Sequence, residues 1–175
     1  GHGLHPGILV YRPASREVVV TFEVTKRRAH SVVGFVEGVC VAEDVDLWND
    51  PDFLQVIIWD ADGFCRGGVH LLFHQTTCGC MVMLPGINPA NALLQQIDAE
   101  QFLDVAIDFA RRIARVAGCH GVWIPADLAI ASNRQPIREA IEGRKWPRLP
   151  IPAIRFAHSP FSYLIDDVYE VPCQS

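Results

Sequence analysis

The sequence predicts an α/β fold: a single domain, residues 1–175, on a mixed β-sheet with antiparallel N-terminal strands and a C-terminal β-α-β-α-β-β order. Three observations predict it. The apolar run Cys80–Leu84 is stopped by Pro85-Gly86, and a second run, Gly121–Pro125, follows a helical connection, so the two read as parallel strands joined by a crossover. Between them Phe102, Ala106, Phe109, Ile113 and Val116 recur at helical spacing, with Asp104, Asp108, Arg111, Arg112 and Arg115 on other faces. Upstream, two β-rich runs flank an Asp-Gly turn, a hairpin signal.

Taken in order, residues 1–16 are expected as a flexible N-terminal extension, and Glu17–Thr25 (EVVVTFEVT) as a strand. Val32–Val41 is apolar but broken by Gly34 and Gly38, which leaves its type open. Phe53–Trp59 and Gly67–Phe73 form the hairpin, with Asp60 and Asp62 as turn formers. After Cys80–Leu84, the stretch Asn88–Ile97 reads as a short helix capped by Asn88 and started by Pro89. Asp98 caps the long helix, with Gln101 as its reciprocal partner, and Gly118 ends it. Ser132-Asn133 signals the start of a further helix, Gln135–Glu142. Gly143–Pro152, rich in Arg, Lys and Pro, resembles a linker. Ala153–Ala157 and Phe161–Ile165 close the chain as short strands, with Tyr169–Val171 continuing the last.

Composition bounds the function classes. Half of the residues (50%) are hydrophobic and 20% are charged, which suits one sizeable core. No apolar run reaches the ~18 residues of a membrane span, and no basic-then-apolar leader opens the sequence. A cytoplasmic protein without a membrane partner is therefore expected. The net charge of −5 argues against a nucleic-acid partner, and Lys26-Arg27-Arg28 reads as a solvated strand end or turn. The six cysteines, Cys40, Cys65, Cys78, Cys80, Cys119 and Cys173, are expected to be reduced. Cys78 and Cys80 share a strand face, as do His70 and His74, but the knuckle spacing of a zinc site is missing and no metal is expected. His120 and His158 read as satisfied or solvated side chains.

A hairpin with a DG-x-x-x-GG connection, a strand ending at a turn, a long helix, a second strand, an Asn-led helix and a terminal strand pair, over residues 53–171, resemble the GCN5-related N-acetyltransferase (GNAT) fold. The resemblance implies acyl transfer from acetyl-CoA or another acyl-CoA to a small amine or peptide amine. Amides at Met83, Leu84 and Gly86 would polarise the thioester carbonyl. Asn88, Asn133 and Arg134 complete the implied cofactor set, Asn133 toward a pantetheine-like amide and Arg134 toward a phosphate. Two departures accompany it. The family's Q/R-x-x-G-x-G/A phosphate loop is absent, and Ala140 stands where its acidic tyrosine would be, so no catalytic residue is assigned. One alternative is a non-catalytic ligand- or protein-binding module of the same architecture. A further one is a thiol hydrolase or acyl-thioester enzyme, with Cys80 as nucleophile and His70 or His158 as base.

Overall fold

The computed structural model describes residues 7–11, 18–25, 38, 47, 49–156 and 163–173. Its strands are β1 (Gly7–Tyr11), β2 (Val18–Thr25), β3 (Phe53–Asp60), β4 (Cys65–Thr76), β5 (Gly79–Met83), β6 (Ile87–Pro89), β7 (Gly121–Pro125), β8 (Arg148–Phe156) and β9 (Tyr163–Glu170). The helices among the described residues are α1 (Asn91–Leu94), α2 (Ala99–Ala117), α3 (Leu128–Ala131) and α4 (Gln135–Gly143). The sheet runs β1-β2-β3-β4-β5-β7-β9-β8, with β6 pairing β4 beside that path. Only β5 and β7 are parallel, Met81–Met83 lying against Gly121–Trp123. Every other pair is antiparallel. The mixed α/β sheet predicted from the sequence is therefore the observed architecture.

The alternation of side chains along the strands builds two cores. Val82, Leu84, Val122 and Ile124 point to the face covered by α2 and α4, where they meet Phe102, Ala106, Ile113, Ile137 and Ile141. Phe22 fixes the helix there, edge-on to Phe102 at 6.0 Å and to Phe109 at 5.2 Å. Met83 and Trp123 point the other way and pack with Phe53, Leu72, Ile130, Ile165 and Val168. The caps of α2 stand where the sequence places them: Asp98 accepts from the Glu100 amide at 3.4 Å, and Gly118 adopts a left-handed conformation (φ 72°). Val116, in the last turn, is 75% exposed, so the buried stripe ends before it. Arg144, just past α4, bridges to Asp104 at 2.9 Å and ties the two helices together.

Four expectations are corrected. Residues 87–89 are strand, not an Asn-capped helix, because β4 outruns β5 and offers Gly67–Val69 as an open edge that β6 fills. Helix α1 starts only after Ala90, which makes no side-chain cap bond. The linker-like stretch belongs in part to β8, whose prolines Pro150 and Pro152 are tolerated because β8 is the outermost strand and its register shifts between Pro150 and Ile154. Helix α4 is capped at Arg134 with no side-chain bond, not by Asn133. Gly7–Tyr11, within the span read as an extension, pairs with Val18–Phe22. Val32–Val41 apart from Gly38, Lys26-Arg27-Arg28, Cys40 and His158 lie outside the described residues.

Candidate functional site

Where β5 gives way to β6, the chain bulges. On β4, Val69 pairs with Ile87 and Leu72 with Met83, so Leu84, Pro85 and Gly86 stand opposite only His70 and Leu71. The His70 amide donates to the Gly86 carbonyl at 2.7 Å and holds the bulge against β4. On the other side the Leu84 amide donates to the Trp123 carbonyl at 2.9 Å at the end of the parallel pair, and among the described strands β6 pairs only with β4. The outer edge of β6 thus faces the loop between α3 and α4 rather than a strand.

That loop fills the edge. Ser132 Oγ donates to the Ile87 carbonyl at 2.6 Å and lies 3.3 Å from Asn88 Oδ1, which also accepts the Asn133 amide at 2.9 Å. Arg134 Nε donates to the Pro89 carbonyl at 2.7 Å, and the Arg134 amide donates to Ser132 Oγ at 3.0 Å. Asn133 Nδ2 donates to the Gly38 carbonyl at 3.0 Å. Asn88 and Ser132 are 2% and 1% exposed, so the centre of the network is buried, while Arg134 is half-buried and Asn133 exposed at its rim. Of the residues marked in the sequence, Asn88 and Asn133 meet directly, and Arg134 joins them through the Pro89 carbonyl and Ser132 Oγ. Leu84 and Met83 are fully buried in opposite cores, and Gly86 is buried at the bulge between them. Sequence reasoning took Ser132 for a helix-start signal and missed its place at the centre of this network.

The opposite end of the parallel pair is built differently. Cys80 is the second residue of β5 and Cys119 precedes β7, and the two form a disulfide with their Cα atoms 4.5 Å apart. The expectation of reduced thiols is overturned here. The register carries the reason: Met81 lies beside Gly121, and the His120 amide donates to the Cys80 carbonyl at 2.8 Å, which sets the residues just before both at one level. Beside the bond opens a cavity of about 280 Å³, lined among others by Arg111, Arg115, Cys119, His120 and Cys173.

The remaining marked side chains are dispersed. His70 is 1% exposed, edge-on to Phe53 at 5.2 Å in the second core. His74 lies 6.2 Å from the Trp123 ring, and burial holds its pKa below the ordinary histidine value. At the hairpin turn burial raises the Asp60 carboxyl, but hydrogen bonds from the Phe64 and Asp62 amides and from Arg66 outweigh it and hold its pKa below the usual carboxylate value. Among the described residues no three His, Cys, Asp or Glu side chains gather as a metal-binding group. No helix among them is long and apolar enough to cross a membrane. No protein-family model matches the sequence, and no curated protein is significantly similar to it.

Proposed function

We propose that this chain is a non-catalytic binding module of GNAT-like architecture, whose recognition surface is formed by the exposed residues of the 126–134 segment beside the sealed β6 edge. One observation carries this reading: the edge of β6, where a pantetheine arm would enter beside the bulge, is occupied by the protein's own Ser132 Oγ and Arg134 Nε on the Ile87 and Pro89 carbonyls. An acyl-CoA would have to break both bonds, at about 2–4 kcal/mol together, before gaining its own. It would also meet no glycine-rich phosphate loop, and Ala140, in place of an acidic tyrosine, is buried against α2.

Acyl-CoA-dependent transfer to a small amine or peptide amine is the second reading, and the bulge at Leu84–Gly86 favours it, since a bulge redirects backbone groups at a strand end. In that reading Met83, Leu84, Gly86, Asn88, Asn133 and Arg134 hold the cofactor. A thiol mechanism is not carried further, because the Cys80 sulfur is bonded to Cys119. A cytoplasmic setting belongs to the proposal, and there the Cys80–Cys119 bond is reversible rather than a permanent staple.

Calorimetric titration with acetyl-CoA and with longer acyl-CoAs separates the two readings. The module predicts no heat and no shift in melting temperature. Saturable binding, with a gain of about 2.7 kcal/mol at a hundredfold excess over Kd, overturns it in favour of acyl transfer.

A further inference from the structure

We infer that Cys173 is an exchange partner for the Cys80–Cys119 disulfide, whose Cys119 lines the same cavity as Cys173, so that three cysteines share a single bond in two alternative pairings. The geometry starts from the cavity of about 280 Å³ at the C-terminal end of α2, whose wall holds both Cys119 and Cys173. Cys173 is a free, exposed thiol. Two contacts hold its segment there: the Val171 amide donates to the Val122 carbonyl at 3.2 Å, and Arg111 donates to the Pro172 carbonyl. Cys119 is held in turn by its amide, which donates to the Ala114 carbonyl at 2.8 Å. Cys173 and Cys119 thus line one opening, each on an anchored backbone.

The step balances without an external oxidant or reductant. The Cys173 thiol gives its proton to solvent, its sulfur forms a bond to Cys119 Sγ, and the Cys119–Cys80 bond breaks. Cys80 leaves as a thiolate and takes up a proton. Arg111, Arg115 and His120 on the cavity wall favour the anionic three-sulfur transition state. The exchange moves the crosslink from the β4–β5 hairpin to the tail after β9. Cys78, exposed on the turn before β5, is the nearest rival in sequence, but it does not line the cavity.

Peptide mapping of the full chain tests this, with purification free of reductant, an acid quench and alkylation of free thiols. In the wild-type protein held in a glutathione redox buffer, both Cys80–Cys119 and Cys119–Cys173 links are expected, with free Cys80 appearing in the same amount as the second link. In Cys80→Ser, Cys119–Cys173 becomes the main link and alkylation of Cys173 falls at least tenfold. Should the variant not fold, the wild-type mapping decides alone. Stoichiometric alkylation of Cys173 with no Cys119–Cys173 link in the wild-type protein overturns the inference, as does a crosslink through Cys78 in its place.

Discussion

The two ends of the β5/β7 pair are built on opposite plans. At the C-terminal end, where an open α/β sheet usually receives its ligand, the bulge edge is sealed by a network of Asn88, Ser132, Asn133 and Arg134, buried at Asn88 and Ser132. At the N-terminal end a covalent bond joins strand to helix exit and a cavity stands open beside it. Topology alone therefore does not locate a vacancy. A chain can keep the architecture of a ligand cleft and fill the cleft with its own hydrogen bonds.

The largest effect expected is at the N-terminal end. The disulfide spans a sequence separation of 39, for which loop entropy gives about 4 kcal/mol of stabilisation. Reduction, or the double substitution Cys80→Ser and Cys119→Ser, should lower the melting temperature by about 12 °C in a domain of this size. An unchanged melting temperature would mean that the hairpin and helix exit are held by packing alone, and the contrast between the ends would lose its covalent half.

Second comes a pair of glycines, one at each end. A Cβ at Gly67, where φ is +103°, would sit 2.3 Å from the Asn88 carbonyl oxygen in β6 and 2.7 Å from the Ala90 nitrogen, which is bonded to the Arg66 carbonyl, both of them backbone atoms. At Gly79, with φ +122°, the obstacle is the exposed imidazole of His120, 2.2 Å from Nε2, which can turn away. Gly67→Ala should cost about 3 kcal/mol and Gly79→Ala nearer 1 kcal/mol, the backbone strain they share. Chemical denaturation of both variants measures the difference, and a Gly79→Ala loss as large as that of Gly67→Ala would show the open end to be as tightly fitted as the sealed one.

The sealed end was the harder one to read, for a physical reason. The β5-α2-β7 unit is legible because its signals are local: short apolar runs, a stripe at helical period and matching caps at Asp98 and Gly118. Strand β6 is not, because Ile87-Asn88-Pro89 has little strand propensity and pairs only where β4 leaves an edge uncovered. Its proline and asparagine read locally as a helix start, and tertiary pairing overrides that. The first part of β8 is hidden in the same way by Pro150 and Pro152, which only an edge position permits. Of the site, Asn88, Asn133 and Arg134 carry visible polar signals, but that they join one network depends on a loop crossing from β7 to the β6 edge. The disulfide had a signal that composition masked: Cys80 lies at the start of one parallel strand and Cys119 two residues before the other, which brings their Cα atoms to 4.5 Å.

Asn88→Ala tests the network itself. It removes the acceptor shared by the Asn133 amide and Ser132 Oγ, and a buried donor left without its partner costs about 2 kcal/mol. Thermal unfolding should register this as a loss of about 6 °C. A neutral result would show that water replaces the amide, and the edge would then count as open to a ligand.

The smallest effect separates capping from tethering at Asn133. Its side chain does not cap α4, whose first residue follows an uncapped Arg134; its Nδ2 instead donates to the Gly38 carbonyl at 3.0 Å on the protein surface. Aspartate lacks that donor, and so does alanine, so Asn133→Asp and Asn133→Ala should each cost about 0.5 kcal/mol, with aspartate no better than alanine. A capping role would predict a different pattern, in which aspartate is neutral and alanine costs about 1 kcal/mol. Because the backbone amide of Asn133 keeps its bond to Asn88 Oδ1 in both variants, the comparison isolates the side chain. A neutral aspartate beside a destabilising alanine would return Asn133 to the helix and detach it from Gly38.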